Sequence, residues 1–434
     1  MQKYLLPHIL FLSLNKATCK YQCNYSYIAL QGLASAFTIL PEIFIISSIF
    51  PPEPVVSARL SNDIALELSK KNNVVVLCPV PSRPKGYQFE NLKDPVNYNV
   101  IRLQSFVSPA STIIGRFRES YSFGKRSAEY IKKNGKGIDC IYINSWPLAS
   151  QYLIIKEAKK INIPTVLHIQ DVYPESLVGK LPKFFRSFFY RFLLPLDKYI
   201  LRHSTKILGI SENMVSYLSK TRGIHKSKFT VVRNWQDDEV FLKFEAAKRQ
   251  QFVFTFMYVG SVSASAGVEL LLYAFDKASL PDSRLVIVGN GNEKDECIRI
   301  AKELNNQHIQ FLEVVPSDVP SIQSRADVLL LPLKKGISLT ATPSKLTAYL
   351  FSAKPIIACV EKESDVANIL TNSNCGFVTE PESVDDMEIA MKRMYQMAKA
   401  DLELMGERGK KYAISNLSKK ANLGRIITTI EEVI

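Results

Sequence analysis

The residues whose types and spacing best suit chemistry lie in Ala341-Thr-Pro-Ser-Lys-Leu-Thr-Ala-Tyr-Leu350, with Ser352-Ala-Lys-Pro-Ile-Ile-Ala358 close behind. The run reads as loop, helix, then buried strand. Pro343 suits the first turn of a helix, where a missing N–H costs nothing. Ser344 and Lys345 then stand at the electropositive helix end, beside free backbone N–H groups. An ammonium, N–H donors and partial positive charge converging on one point make a phosphate cradle. Chemistry of that kind handles an activated, phosphorylated donor.

Two glycine turns belong to the same half of the chain. Gly260 and Ser261 follow the apolar run Phe252–Val259, with Ser263 and Gly267 before the next helix. Gly289, Asn290 and Gly291 follow Arg284–Val288 in the same way. Glycine at the carboxyl end of a strand lets a ligand approach the backbone. Neither turn has the dinucleotide pattern G-x-G-x-x-G or the P-loop Gly-Lys-Ser/Thr ending. Each alone also reads as an ordinary tight turn. Their repetition beside Pro343-Ser344-Lys345 points to a nucleotide pocket.

A further polar group follows the strand Thr165–Ile169, in His168-Ile-Gln-Asp-Val-Tyr-Pro-Glu175. Gln170, Asp171 and Glu175 after an apolar strand belong to a cleft more readily than to a core, because unpaired buried acids are costly. The other reading of His168 is a satisfied core histidine. No Asp-x-Asp occurs in the chain, so the paired carboxylates that hold a divalent cation beside a diphosphate are not expected. Charge on a leaving diphosphate would fall to Lys, Arg and helix termini. No metal site and no resident cofactor are expected.

Leu177–Lys206 carries Lys180, Lys183, Arg186, Arg191, Lys198, Arg202 and Lys206 against the single acid Asp197. Phe184, Phe185, Phe188, Phe189, Tyr190 and Phe192 interleave with them. A basic helix so rich in aromatics reads as an interfacial membrane binder. The competing reading places the phenylalanines in a core behind a wet basic face. No nucleic-acid-binding motif accompanies the charge.

The elements that must position these groups follow from length and pattern. A chain of 434 residues exceeds one ordinary core and fits two domains. From Glu42 onward, continuous apolar strands alternate with amphipathic helices, which predicts parallel sheets covered on both faces. A first series runs from Ile43–Ser48 to Lys206–Ile210, and a second from Phe252–Val259 to Gly376–Val378. The tail from Asp401 reads as helical to the end. The expected division is an extension at 1–41, poorly ordered, then a first Rossmann-like domain at 42–240. A second Rossmann-like domain at 250–415 and a C-terminal helix at 416–434, packing back on the first domain, complete it; the resemblance given below implies that the first takes the acceptor and the second the sugar nucleotide. The apolar stretch Ile28–Leu40 is too short to span a bilayer, and a membrane anchor there is the weaker reading.

Charge is uneven. Residues 1–250 hold 35 Lys/Arg and 18 Asp/Glu, a balance of +17, and the remainder holds 20 and 23, or −3. A positive half points to an anionic partner. The seven cysteines show no paired zinc spacing, and Cys78, Cys140 and Cys359 lie in strand-like runs as small core residues. A reducing compartment without disulfides is expected.

These pieces together resemble the retaining glycosyltransferases of family 4, with the GT-B fold. That fold is α/β, two doubly wound Rossmann-like domains facing across a cleft. The resemblance is closest to the WbuB-type L-fucosamine transferases of bacterial surface-polysaccharide synthesis. It rests on Ser47-Ser-Ile-Phe-Pro-Pro-Glu53, His168-Ile-Gln-Asp-Val-Tyr-Pro-Glu-Ser176, Val231-Val-Arg-Asn-Trp235 and Tyr258-Val-Gly-Ser261. Val288-Gly-Asn-Gly291, Ala326-Asp-Val-Leu-Leu-Leu-Pro-Leu333 and Pro343-Ser-Lys-Leu346 add to it, and it spans about residues 42–434. By position it implies that Ser344 and Lys345 bind the donor diphosphate. Gly260, Ser261, Gly289, Asn290 and Gly291 line the nucleotide pocket. His168 touches the transferring sugar, Asp171 and Glu175 shape the acceptor side, and the Ser48–Ser57 loop faces the cleft. The family often has two glutamates eight positions apart around the Lys345 helix; here those places are Thr340 and Ala348. Ala266 stands where a basic residue is common, and the first loop reads Pro54-Val-Val-Ser57 rather than glycine-rich.

The resemblance implies transfer of a sugar from a nucleoside diphosphate sugar, UDP-linked and amino or deoxy, to a lipid-linked saccharide. The setting implied is the cytoplasmic side of the plasma membrane, with peripheral contact to anionic lipid. A sugar-nucleotide epimerase or hydrolase of the same fold, or a non-catalytic binder of sugar nucleotide or lipid, are the alternatives.

Overall fold

Continuous apolar runs become inner strands because both faces of each sheet are covered. The computed structural model describes residues 40–83, 87, 89, 97–108, 112–235, 238–245, 253–313, 318–338 and 343–434. The expectations for residues 1–39, which take in the apolar stretch from Ile28 to Ile39, lie outside the described residues, as does Thr340.

The first lobe holds a seven-stranded parallel sheet of order β3-β2-β1-β4-β5-β6-β7. Its strands are β1 (Glu42–Ser47), β2 (Asn73–Pro79), β3 (Asn99–Leu103), β4 (Cys140–Asn144), β5 (Thr165–Ile169), β6 (Lys206–Gly209) and β7 (Phe229–Val231). The second lobe holds six parallel strands of order β10-β9-β8-β11-β12-β13. They are β8 (Phe254–Val259), β9 (Ser283–Val288), β10 (Ile309–Leu312), β11 (Val328–Pro332), β12 (Ile356–Cys359) and β13 (Gly376–Thr379). The chain therefore forms two Rossmann-like α/β lobes, each reversing strand order once, between β1 and β4 and between β8 and β11. Ligands of such sheets bind outside the carboxyl ends at that reversal.

Each sheet is closed by apolar layers. In the first lobe Phe44, Ile46, Ile141 and Leu167 face one layer, and Ile43, Ile45, Tyr142 and Val166 the other. Burial of this extent is the dominant stabilising term of the fold. The second layer is completed from the far end of the chain. Leu423, Ile426 and Ile430 of the last helix, Lys419–Glu431, pack there beside Leu60, Ile64 and Trp235. The preceding helix, Lys399–Asn416, packs instead on the Ser344–Phe351 helix of the second lobe. The tail is thus two helices rather than one. They part at Leu417–Ser418, where the Ser418 hydroxyl accepts the Ala421 N–H at 3.1 Å and caps the new helix.

The lobes also meet at their carboxyl-end loops. Asn213, at the start of the Glu212–Arg222 helix after β6, donates its amide to the Glu363 carbonyl beyond β12 at 3.0 Å. That contact sets the loop-bearing ends of the two sheets toward each other.

Candidate active site

On the second lobe three segments converge on one point. The Ser344–Phe351 helix begins after Pro343, whose extended ψ of 137° sets the turn into the helix. Tyr349 anchors it: its hydroxyl donates to the Val259 carbonyl at 3.0 Å and accepts the Val259 N–H at 2.8 Å. One helical turn earlier, Lys345 lies over the end of β8. Its ammonium meets the Tyr258 hydroxyl and the Ser261 carbonyl, and sits 4.7 Å from the Tyr258 ring centroid. No carboxylate among the described residues bonds to it. Burial alone pulls the Lys345 ammonium down to about 8. Among the described residues, the site therefore holds a half-buried cation that lacks an anion.

The glycines explain how the lysine reaches that position. Gly260 has φ +154°, and a Cβ there would stand 2.2 Å from Lys345 Cε. Gly289 has φ +147°, and a Cβ there would stand 1.9 Å from the Gly260 carbonyl oxygen. Only glycine permits that conformation and that closeness together. Gly260 N–H bonds to Val288 O at 2.9 Å and Val262 N–H to Asn290 O at 3.0 Å, which locks the two turns edge to edge. Asn290 Oδ1 also accepts from Lys294 Nζ at 2.7 Å. The structure thus brings Gly260, Ser261, Gly289, Asn290, Gly291 and Lys345 together. Ser344 is exposed at the helix start beside them. Ala348 is half-buried in the same helix, against the core.

On the first lobe a narrow recess of about 50 Å³ opens at the carboxyl ends of β4 and β5. It has room for a small group rather than a whole sugar. His168 forms part of its wall and is 3% exposed. Gln170 Oε1 accepts from Asn234 Nδ2 at 2.9 Å, so its amide nitrogen donates to His168 Nε2 at 3.2 Å. His168 Nδ1–H then donates to the Tyr142 hydroxyl at 2.6 Å. Burial lowers this imidazole to about 4, so it is neutral at physiological pH. Asp171 is exposed at the rim, and its carboxylate has no hydrogen-bond partner among the described residues.

Glu175 lies apart from that recess. Its carboxylate receives Arg222 Nη2 at 2.6 and 2.8 Å and the Tyr217 hydroxyl at 2.8 Å. Arg222, whose side chain is fully buried, also binds Asp197 through Nε at 2.7 Å and the Tyr173 carbonyl at 2.8 Å. Burial pushes the Glu175 carboxyl up, but hydrogen bonds from Arg222 and Tyr217 outweigh it and hold it below the usual range. Glu175 acts here as a brace under the Asp171–Pro174 turn. The Ser48–Ser57 loop leaves β1 with Glu53 turned inward, accepting the Ser82 and Arg83 N–H groups at 2.8 and 2.9 Å.

Residue reading missed Tyr258, Tyr142 and Arg222. Tyr258 and Tyr142 stand inside apolar strands, where a buried phenol has no sequence signal beyond its need for a hydroxyl partner. Arg222 reads as an ordinary basic residue in a last helical turn. The Leu177–Lys206 run resolves into the helix Lys183–His203. Its second half is packed through Leu193, Ile200 and Leu201, while Phe184, Phe188 and Phe192 are 89%, 67% and 71% exposed. Those phenylalanines are not core. No helix among the described residues is long and apolar enough to cross a membrane. Among them, no group of three or more His, Cys, Asp or Glu is placed to hold a metal ion.

Comparison with known proteins finds two family matches that divide the chain as its lobes do. Residues 58–240 match Glycosyltransferase Family 4 and residues 242–412 match Glycosyl transferases group 1. The chain is 23% identical over 283 residues to WbjE of Pseudomonas aeruginosa, named a probable glycosyltransferase, covering 62% of this chain and 68% of that protein. It is also 23% identical over 299 residues to WcaI of Escherichia coli K12, named for colanic acid biosynthesis, covering 63% and 69%. A solved glycosyltransferase from Rickettsia africae superposes with a TM-score of 0.61 at 15% identity, covering 91% of this chain and 98% of the other. Anabaena HepE in complex with UDP superposes with a TM-score of 0.60 at 14% identity, covering 91% and 100%. These likenesses establish a GT-B fold.

Proposed function

Because the chain belongs to the glycosyltransferases, with a family 4 first lobe and a group 1 second lobe, we propose that it moves a sugar from a nucleoside diphosphate sugar to a lipid-linked saccharide. The observation that carries this reading is Lys345, a half-buried ammonium held over Gly260 at a helix start with no carboxylate among the described residues bonded to it. A donor diphosphate supplies the missing anion, aided by the helix N–H groups. The UDP complex of the similar HepE and the resemblance to WbuB-type transferases favour a UDP-linked amino or deoxy sugar. The names of WbjE and WcaI favour a role in surface-polysaccharide synthesis.

The reaction is read as retaining. The acceptor hydroxyl oxygen bonds to the anomeric carbon on the face that the diphosphate leaves. The bond from that carbon to the phosphate oxygen breaks, and the hydroxyl proton passes to the departing phosphate. Lys345 and the Ser344 helix end stabilise the growing negative charge without a metal ion. His168, neutral and fixed by Tyr142 and Gln170, presents its ring edge to the transferring sugar. Asp171 binds acceptor hydroxyls. The exposed phenylalanines and cations of the Lys183–His203 helix rest on anionic lipid at the inner membrane face, where the acceptor resides.

Lys345→Ala tests the assignment: UDP-sugar turnover should drop by at least about a hundredfold, as for loss of one charged group at a developing anion, with a cooperative thermal unfolding transition retained. Near wild-type transfer would remove Lys345 from the mechanism.

A further inference from the structure

One turn of the second lobe faces two ways. It spans residues 360–364, between β12 and the Asp365–Ser373 helix, and its own polar groups set its shape. The Ser364 N–H bonds to the Glu361 carbonyl at 3.0 Å, and the Ser364 hydroxyl donates to the same oxygen at 2.6 Å. That hydroxyl also caps the following helix, accepting the Ala367 N–H at 3.1 Å, and Ser364 is fully buried. The Val360 N–H bonds to the Thr379 carbonyl at 3.1 Å. Polar networks of this kind rigidify the turn that they span.

On one side the Glu361 carboxylate reaches the loop after β11. One oxygen accepts the Gly336 N–H and the other the Ser338 hydroxyl. Ser338 answers with its own oxygen, which accepts the Glu361 N–H at 3.2 Å. Burial pushes the Glu361 carboxyl up, but the bonds from Ser338 and Gly336 outweigh it and hold it below the usual range. Gly336 takes φ +86°, a conformation that glycine adopts without strain. The start of the same loop is fixed to the turn after β8: the Lys334 N–H bonds to the Ser265 carbonyl at 3.1 Å, and the Lys334 ammonium meets Glu269. Residues 334–338 thus stand between the 260–267 turn and Glu361. The strand order of this lobe reverses between β8 and β11, so the loops after those strands wall the crevice in which a ligand of such a sheet binds. From Ser338 the chain runs on to Pro343 and the Lys345 helix. On its other side the 360–364 turn meets the first lobe, where the Glu363 carbonyl accepts the exposed Asn213 amide at 3.0 Å.

Resting on the donor reading above, we propose that Glu361 is a positioning residue: it buttresses residues 334–338 as a wall of the donor crevice, and Asn213 steadies that buttress from the first lobe. Glu361 acts on the donor only through the loop it holds. Hydrogen bonds to a carboxylate are about twice as strong as neutral ones, which suits a residue that fixes a loop containing glycine. A loop held in shape beforehand spares the donor the cost of ordering it, and releasing the loop returns that cost as lost affinity. Glu361 and Glu363 belong to one rigid turn, so a contact made by the first lobe bears on the same wall.

The test uses the full chain and UDP, with calorimetry for affinity and thermal melting for the fold. Glu361→Gln keeps the size of the side chain but removes its charge and one of its acceptors. It should weaken UDP binding by about tenfold. Ser338→Ala removes a single hydroxyl and should give a smaller loss in the same direction. Asn213→Ala, on the opposite lobe, should weaken UDP by about threefold. That loss should vanish in the Glu361→Gln background, because both act through one turn. A residue that served folding alone would lower the melting temperature without linking these affinities. Unchanged UDP affinity in Glu361→Gln and in Ser338→Ala would overturn the buttress. No loss in Asn213→Ala, or a loss that adds in full to that of Glu361→Gln, would overturn the part given to the first lobe. If Glu361→Gln does not melt cooperatively, Ser338→Ala alone decides. A wild type that binds UDP while the variants match it sinks this inference alone, whereas a wild type that fails to bind UDP sinks the parent reading and this inference with it.

Discussion

Lys419 and Asp63, at opposite ends of the described chain, bond at 2.7 Å, Nζ to Oδ1. The other oxygen of Asp63 accepts the Trp235 indole N–H at 2.9 Å. The Lys419 backbone N–H bonds to Asp238 at 2.8 Å, and the Arg233 N–H to Asn422 at 2.8 Å. One carboxylate thereby ties the chain's exit from the first lobe to its return. The junction lies at the start of the last helix, whose Leu423, Ile426 and Ile430 then pack in the first lobe's core.

Asp63→Ala should therefore destabilise the protein by about 1–3 kcal/mol. It leaves the buried indole N–H of Trp235 without a partner, and the Lys419 term is small because that side chain is 40% exposed. Urea unfolding followed by Trp235 emission measures it. A loss under about 0.5 kcal/mol, the range of ordinary surface changes, would mean that the junction is not held by this residue.

Lys345 gives a pH dependence with a definite sign. Burial lowers its folded value from 10.5 to about 8. Between those two values the unfolded chain binds the extra proton, so free-protein stability rises with pH there. Under the proposed function donor binding should run the other way, because a diphosphate bound at Lys345 needs the protonated amine. UDP affinity should be flat from about pH 7 and weaken as pH rises through about 8, by at most about tenfold per unit. Lys345→Arg, which stays charged, should flatten the curve. Calorimetry at pH 7, 8 and 9 distinguishes the two. A wild-type affinity constant across that range would exclude a lysine ammonium as the phosphate partner.

The sheets were legible in the sequence because a parallel strand covered on both sides must be apolar throughout, as in Ile43–Ile46 and Leu329–Leu331. β7 was not legible: it is three residues long, half-buried at the sheet edge, and its Thr230 interrupts the apolar run. The meeting of the second-lobe turns with Lys345 could be read because the glycines follow strands directly and the lysine opens a helix. The first-lobe recess could be read only in part. The His168 segment was visible as polar residues after a buried strand. That Glu175 faces Arg222 depends on a helix 47 residues further on, and no local pattern encodes a contact made by tertiary packing. The meeting of Glu361 and Ser338 has the same origin: the loops after β11 and β12 become neighbours only once the sheet has formed.

His168 should set an acid limit on stability. Its folded value is lowered by burial from 6.5 to about 4, so the unfolded chain takes up the proton first as pH falls. The stabilisation is complete above 6.5 and is lost from there down through about 4. Over that interval the shift amounts to about 3 kcal/mol. His168→Asn should start from a lower melting temperature at pH 7, because Tyr142 and Gln170 lose a partner, but should fall less steeply between pH 7 and 5. Parallel melting curves for the two proteins would contradict a neutral, buried imidazole. Turnover should show no His168 limb between pH 6 and 7.5.

The Lys183–His203 helix separates apolar from ionic attraction. Phe184, Phe188 and Phe192 recur every fourth residue, so one side of the helix carries all three, exposed. Partial insertion of each ring into a bilayer interface contributes on the order of 1 kcal/mol. Replacing all three with serine should therefore weaken vesicle binding by about a hundredfold while leaving the melting temperature within about 2 °C, since nothing is unpacked. The cations act differently: their contribution to binding anionic vesicles should fade as salt rises, whereas the phenylalanine contribution should persist. Flotation of the wild type and the triple variant, on anionic and on neutral vesicles at low and high salt, resolves both terms. If the wild type fails to float with anionic vesicles even at low salt, this helix does not serve as the membrane face. If the triple variant floats as well as the wild type, charge alone carries the attachment and the exposed rings need another partner.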